Sequence, residues 1–299
     1  MKNNSIKIKK KPDAFSIIIT IILIAYSITL LSMFAWAIMT ALKSYVEYKN
    51  NILGFPKELT FENYISVLNN IYVPVPAYNG VAKHNVYLLE MLYNTLITVF
   101  GGAFFAALSP CIMAYCSANY KNKMSSAIYW IVLVAMMLPI VGSYASEMQV
   151  VRALGIYNNI YGNVVFKFHF LGMYFLVFHA TFRSVSKEYF EAAKIDGANH
   201  FVIFFNIIFP LVRTMFFTIF LIKFIEFWND YQTPLLYLPT HPTLSVAVYK
   251  LAVDRNIPKL KGEPATMACC TLMLIPVMIL FIAFRKMIMG NITMGGVKE

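Results

Sequence analysis

Two carboxylates stand four residues apart near the end of an apolar segment, FIEFWNDYQ, where acidic side chains are rare. Glu226 and Asp230 would lie on the same side of a helix at this spacing. Ionisable groups at membrane depth cost free energy and usually mark a functional site. One interpretation is a catalytic dyad of an intramembrane enzyme. The interpretation we favour is a polar wall of a transport path, or bonding between helices at the outer end. Such a path would be lined or gated by Glu226, Asn229 and Asp230.

Metal and nucleotide chemistry find little support in the sequence. His169 and His179 are ten residues apart and could share a helix face, but no H-E-x-x-H pattern accompanies them. No G-x-x-x-x-G-K-[ST] loop is present, so any ATP must be bound by a partner. All four cysteines lie in apolar runs, which predicts small buried side chains and not a disulfide framework: Cys111, Cys116, Cys269 and Cys270.

A polar interruption, EAAKIDGANHFVIFFNIIFP, occupies residues 191–210 of a chain that is otherwise mostly apolar. The preceding serines, Ser184 or Ser186, are suited to begin a short helix, and Gly197 is suited to end it. Within that helix, one face would carry Tyr189, Ala192, Ala193 and Asp196, which stand at positions i, i+3, i+4 and i+7. The small alanines would let another surface approach the backbone. The pattern predicts a helical finger braced by the apolar segment that ends at Pro210, although a solvated linker is the simpler alternative.

The composition indicates a polytopic membrane protein. Of the 299 residues, 59% are hydrophobic and 13% are charged, whereas soluble domains carry about 25% charged residues. A helix needs about 20 apolar residues to cross a bilayer. Six spans are predicted, the first of them retained and not cleaved as a signal peptide: about 14–42, 93–117, 125–142 (containing Pro139), 162–182, 214–231 and 266–284 (containing Pro276).

The basic residues predict the orientation, because cytoplasmic segments are enriched in Lys and Arg. With both termini in the cytoplasm, the inner segments hold Lys7, Lys9, Lys10, Lys11, Lys121, Lys123, Arg183, Lys187, Lys194, Arg213, Arg285, Lys286 and Lys298. We therefore attribute the net charge of +11 to membrane topology and not to nucleic-acid binding. The predicted organisation is a basic tail at 1–13, one transmembrane domain at 14–289 and a cytoplasmic tail at 290–299. The finger, at about 184–210, is then cytoplasmic, and the long loop at 43–92 is an irregular outer cap.

The finger also resembles a known motif. Glu191-Ala192-Ala193, Gly197, Ile207 and Pro210 match the EAA loop of binding-protein-dependent ABC importer permeases. The stretches NTLITV, FIEFWNDYQTPLLYL and MGNITMGGVKE further resemble the carbohydrate uptake family, in particular its MalG-like inner-membrane components. The chain departs from that family at Phe209, at Ser186 and at Arg213-Thr214, which leaves the end geometry of the loop open.

The resemblance implies an all-α, type I ABC importer permease fold of about six spans. It implies a transport subunit without a cofactor of its own, coupled to two copies of an ATPase that bind ATP and Mg. A second homologous permease would complete the path, and an extracellular solute-binding protein would deliver a sugar or oligosaccharide. The residues that the resemblance assigns to ATPase coupling are Glu191, Ala192, Ala193, Asp196, Gly197, Ile207 and Pro210. Another small solute remains the alternative substrate.

Overall fold

The computed structural model describes residues 13–120, 122–138, 142–254, 257, 259–260 and 262–292. Most of the predicted tails at 1–13 and 290–299, together with Lys121 and Pro139, lie outside these ranges. The chain forms two compact units, one from Met1–Val67 with Lys259–Leu272 and one from Leu68–Pro258 with Met273–Glu299.

The described elements are helices, apart from one pair of strands. In chain order they are α1 (Ala14–Ala41), α2 (Tyr45–Asn50), α3 (Glu62–Asn70), β1 (Tyr72–Val75), β2 (His84–Tyr87), α4 (Leu88–Leu96), a π-helical turn (Ile97–Gly101), α5 (Gly102–Asn119), α6 (Lys123–Met137), α7 (Tyr144–Ala153), α8 (Ile160–Phe166), α9 (Met173–Ser184), α10 (Lys187–Ile195), α11 (His200–Val202), a second π-helical turn (Ile203–Ile208), α12 (Phe209–Asn229), α13 (Gln232–Tyr237), α14 (Leu244–Val253) and α15 (Gly262–Ile292).

Four helices of the described residues are long and apolar enough to cross a membrane: Ala14–Ala41, Leu88–Asn119, His200–Asn229 and Gly262–Arg285. They correspond to the first, second, fifth and sixth predicted spans. The third predicted span is the shorter apolar helix α6. The fourth is not one helix, because residues 167–172 separate α8 from α9 and Gly172 has a φ of 136°.

The fifth span begins earlier than the sequence predicted. Residues 200–229 form one continuous helix, so Pro210 lies within it and does not end the preceding segment. Proline lacks an N–H group and its ring clashes with the carbonyl four residues before it. Here the π-helical turn Ile203–Ile208 ends two residues before the proline and includes that carbonyl, so the helix is wider there.

The predicted cap at 43–92 contains a β-hairpin, so the fold is mostly rather than purely helical. The antiparallel strands pair Tyr72 with Tyr87 and Val75 with His84. At the tip, Tyr78 and Val81 exchange both backbone hydrogen bonds across Asn79 and Gly80, which both have positive φ. An Asn-Gly pair in this conformation is the preferred two-residue hairpin loop.

The core of the larger unit lies where α5, α9 and α12 pack together. Its buried side chains include Phe175, Phe178, Phe216 and Ile219. Nearer α8, the helices approach closely at Gly101 and Gly102. A Cβ added to Gly101 would lie 2.8 Å from Val164 Cγ1, and one added to Gly102 would lie 3.3 Å from Phe227 Cδ2 and 3.6 Å from Lys167 Cγ.

The smaller unit is organised around a buried lysine. Lys43 is fully buried and its Nζ donates hydrogen bonds to the carbonyl oxygens of Asn51 (2.7 Å) and Ile52 (3.2 Å). Asn63 Nδ2 donates to the carbonyls of Ala41 and Lys43. These bonds fix the chain as it leaves α1, because a buried ammonium is tolerated only when its donors are satisfied.

Candidate coupling loop and translocation path

The predicted finger contains a short helix, α10, and the name finger is used below for this helix with the turn that ends it. Residues next to the helix cap its backbone groups at both ends. Ser186 begins α10, and its Oγ accepts a hydrogen bond from the Glu188 amide (3.3 Å). At the other end the Ala198 amide donates to the Ala193 carbonyl (3.0 Å) and the Gly197 amide to the Lys194 carbonyl (3.1 Å). This pair of bonds is the Schellman motif, and it requires a left-handed residue at Gly197, whose φ is 77°. The predicted start and stop of the helix are confirmed.

One side of α10 is seated on the core and the other is exposed. Ala193 is buried, and Phe190 packs with it against the cluster that contains Tyr115 and Phe204. The face predicted to hold both alanines is therefore divided: Ala193 turns inward, whereas Ala192 is exposed. The small size of Ala193 lets α10 approach its own core and does not serve an outside surface.

The exposed side of the finger is more apolar than the sequence interpretation anticipated. Tyr189, Ala192 and Asp196 are exposed along it, and Ile195 is 86% exposed at the tip. Phe201, on the next helix, is 76% exposed. Sequence reasoning missed Ile195 and Phe201, because an isolated apolar residue in a helix is normally assigned to the buried face.

A four-residue turn joins the finger to the long helix at 200–229. Asn199 Oδ1 accepts a hydrogen bond from the Val202 amide (2.9 Å) and so begins that helix. The ring of His200 lies against Phe190, and its Nδ1 is 2.9 Å from the Tyr120 hydroxyl at the end of α5. Ile207 is half-buried against the core, and Pro210 is exposed. The finger, the end of α5 and the start of the long helix are thus tied together.

A small apolar cavity of about 240 Å³ lies at this joint, between the end of α5 and residues 200–205. Tyr115, Tyr120, His200 and Phe204 are among its lining residues. The Tyr115 hydroxyl is buried and has no hydrogen-bond partner within the described part of the chain.

The two carboxylates at the end of α12 have different partners. Glu226 Oε2 lies 2.8 Å from Lys223 Nζ, and the Glu226 side chain is half exposed. Asp230 Oδ1 instead accepts a hydrogen bond from the Thr233 amide (3.0 Å) and so closes the turn into α13. The side chain of Asn229 is exposed and donates to the carbonyl of Ile225. Because each carboxylate already has a partner of its own, the geometry does not support a catalytic dyad.

The two histidines are also kept apart. His169 lies in the break between α8 and α9, and His179 lies within α9, so they share no helix face. The His179 ring packs against Tyr129 (4.8 Å between centroids) and Phe175. Within the described ranges, no group of three or more His, Cys, Asp or Glu side chains is arranged to hold a metal ion.

A polar network orders the segment that follows the long helix. Glu147 of α7 accepts hydrogen bonds from the hydroxyls of Ser143 (2.6 Å) and Tyr237 (3.1 Å). Burial raises the pKa of Tyr237 above its ordinary value, and the bond to Glu147 raises it further. Burial lowers the pKa of His241, whose Nδ1 lies 3.1 Å from the Thr240 hydroxyl oxygen. Both side chains are therefore held in their neutral forms.

Comparison with known proteins identifies the architecture. A family model described as "Binding-protein-dependent transport system inner membrane component" matches residues 106–292. The chain is 26% identical, over 94% of its length and 97% of the relative's, to the probable starch degradation products transport system permease protein AmyC of Thermoanaerobacterium thermosulfurigenes. It is 27% identical, over 87% of its length and 88% of the relative's, to the melibiose/raffinose/stachyose import permease protein MelC of Bacillus subtilis (strain 168).

The fold is similar to that of a chain in a crystal structure of a bacterial ABC transporter involved in the import of the acidic polysaccharide alginate. The TM-score is 0.73 at 21% identity, over 91% of this chain and 95% of the other. This similarity confirms the predicted importer permease fold.

Proposed function

Because the chain belongs to the family of binding-protein-dependent transport system inner membrane components, we propose that it carries a sugar or oligosaccharide and that α10 is its docking element for an ATPase. As a member of this family it is a multi-pass subunit of the cytoplasmic membrane, and its transport is powered by ATP hydrolysis in a partner subunit. A binding protein is the other partner that the family requires.

The docking role rests on the division of α10 into a seated and an exposed side. Ala193 and Phe190 anchor the helix to the core, so the finger is held in one position. The exposed side then offers Tyr189, Ala192 and Ile195 to a partner, with the carboxylates of Glu188, Glu191 and Asp196 around them. A central apolar patch with a polar rim is the usual composition of a protein interface.

The continuous helix at 200–229 supplies the connection to the membrane, and this single observation carries the proposal. The finger is joined to that helix by four residues, which are closed by the Schellman bonds and by the Asn199 cap. Since no flexible loop intervenes, a displacement of α10 by closing ATPases would move the helix as a rigid body. The role of Gly197 is to make the tight turn, and that of Ile207 and Pro210 is to shape the joint.

The remaining assignments complete the importer. We place both termini in the cytoplasm, two ATPase copies below the membrane, and a second homologous permease beside this chain. The binding protein delivers substrate from outside. We assign Glu226, Asn229 and Asp230 to the outer part of the path, where Glu226 and Asn229 are exposed.

The saccharide assignment follows from what the relatives are named for, the import of starch degradation products and of melibiose, raffinose and stachyose. Another small solute is the alternative. Purification of the intact transporter with its binding protein, followed by mass spectrometry of the ligand that the binding protein retains, would separate the two. A retained saccharide supports the assignment, and a retained solute of another class refutes it.

The docking face is tested with a bulky substitution on each side of α10. Ala192→Trp would obstruct the exposed face, whereas Lys194→Trp places the same ring two residues further, about 200° around the helix. We expect Ala192→Trp to lower ATPase copurification at least about tenfold, because a misfit at an interface core costs more than about 1.4 kcal/mol. Lys194→Trp should retain the ATPase. Full ATPase binding by Ala192→Trp, in a subunit that still inserts, would refute this face.

A further inference from the structure

The break in the predicted fourth span places irregular backbone inside the membrane domain. Residues 167–172 lie between α8 and α9, and a Cβ on Gly102, near the middle of the long helix Leu88–Asn119, would lie 3.6 Å from Lys167 Cγ. Non-helical backbone at membrane depth occurs only where protein surrounds it or where it lines a water-filled cavity. Interrupted helices at this depth are also where transporters hold their substrates.

Two lysines converge on one aromatic ring at this break. Lys167 Nζ lies 4.8 Å from the centroid of Phe227, and Lys223 Nζ lies 5.7 Å from the same centroid. Lys223 Nζ is also 5.0 Å from the ring centroid of Tyr174, which is half-buried. Bringing two ammonium groups to one ring inside a membrane domain costs free energy unless negative charge compensates them.

Only one of the two lysines has a carboxylate partner among the described residues. Lys223 pairs with Glu226, whereas no carboxylate of the described residues lies within 4 Å of Lys167. Glu147 and Asp230 add negative charge near Lys167 without an ion-pair contact, since Glu147 accepts hydrogen bonds from two hydroxyls and Asp230 from a backbone amide. The Lys167 ammonium contacts the face of Phe227. This cation–π contact stabilises the ammonium less than an anion would.

We infer that Lys167, Lys223, Tyr174 and Phe227 form a site in the translocation path that takes the carboxylate or phosphate of an anionic saccharide. The inference rests on the proposed function, in which the substrate is a saccharide, and adds that this saccharide is negatively charged. An incoming anion would bind Lys167 and compete with Glu226 for Lys223. A lysine suits this task because its ammonium is a compact charge that binds an anion without a fixed bidentate geometry. A transported substrate must be able to leave the site, so it needs a contact that is not too strong.

The inference is tested by uptake into proteoliposomes that contain the whole transporter with its binding protein. The probes are a digalacturonate and the neutral galactobiose, and the measured quantity is the ratio of acidic to neutral uptake. We expect the acidic probe to be preferred by the wild type. Lys167→Gln should lower the ratio about tenfold or more, because a hydrogen bond between charged groups is lost, and Lys167→Arg should restore most of it. Lys250→Gln, which removes a lysine from α14, is the control and should leave the ratio unchanged.

Three outcomes would overturn the inference. An unchanged ratio in Lys167→Gln would show that Lys167 does not contribute to the preference for an anionic substrate. Transport of the neutral probe alone by the wild type would exclude an anionic substrate while leaving the sugar proposal intact. Loss of the second permease from Lys167→Gln, but not from Lys167→Arg, would assign the missing counter-ion to that subunit. Failure of the sugar proposal has a different signature, because the binding protein would then retain a solute that is not a saccharide.

Discussion

Replacement of Gly197 tests whether the end of the finger must keep its left-handed turn. The residue has a φ of 77°, and a Cβ added to it would meet nothing within 4 Å. Any effect of a larger side chain therefore comes from the backbone and not from a clash. For a residue other than glycine this conformation costs about 1–2 kcal/mol of free energy. The cost is largest for a β-branched residue, whereas asparagine is tolerated there.

The magnitude follows from that penalty. A cost of about 1–2 kcal/mol lowers the population of the correctly closed turn by roughly 5- to 30-fold relative to open alternatives. We expect Gly197→Val to lower uptake per ATP hydrolysed by a factor in that range, and Gly197→Asn to lower it much less. Gly80→Val is the matched control. Gly80 has a φ of 82° and equally open surroundings, but it lies at the tip of the β-hairpin and not in the finger.

The assay measures binding-protein-stimulated ATP hydrolysis and uptake in the same proteoliposomes, so that their ratio can be formed. Equal ratios for Gly197→Val and the wild type, at equal membrane insertion, would refute the reasoning. A loss of the same size in Gly80→Val would show that any strained turn disturbs coupling, and the specific role of Gly197 would fall.

Two further predictions concern stability. Gly101→Ala should destabilise the protein by about 1–3 kcal/mol, since its Cβ would lie 2.8 Å from Val164 Cγ1; the double variant with Val164→Ala should recover most of this in thermal unfolding, and a Gly101→Ala protein as stable as the wild type would contradict the packing. The lowered pKa of His241 means that the folded state prefers the neutral ring, so this stabilisation is present above the unfolded pKa of about 6.5 and is lost as the pH falls below it. His241→Gln should therefore lose less melting temperature than the wild type between about pH 7.5 and about pH 5.5, and identical losses would argue against the assignment.

Local signals predicted the finger well. A serine before the helix and a glycine after it act on neighbouring backbone groups, so the sequence alone indicates where α10 begins and ends. The inward turn of Ala193 could not be predicted, because the pattern gives faces of a helix but does not say which face meets the core. The face that meets the core is determined by packing against Phe204 and Tyr115, which lie on other helices, and Tyr115 is also far away in the sequence.

The structure differs from the sequence predictions where an average over many residues hid a local feature. The fourth span looked apolar over 162–182, although Lys167, His169 and Gly172 lie together within it. The effect of Pro210 was overestimated because the π-helical turn before it is not visible in the sequence. The hairpin, in contrast, had a visible signal in Asn79-Gly80, which was interpreted only as irregular cap.

The length of the uninterrupted helix at 200–229 sets a scale for the movement that it can transmit. Thirty residues at about 1.5 Å each make a rod of roughly 45 Å. If one end is held, a tilt of only about 5° displaces the other by about 4 Å, comparable to the spacing between packed groups. A hinge at the proline would absorb such a displacement, but a continuous rod delivers it to the end that carries Glu226 and Asn229. With the coupling and path roles proposed above, a small rotation on the cytoplasmic side of the membrane would be enough to open or close a gate on the other side.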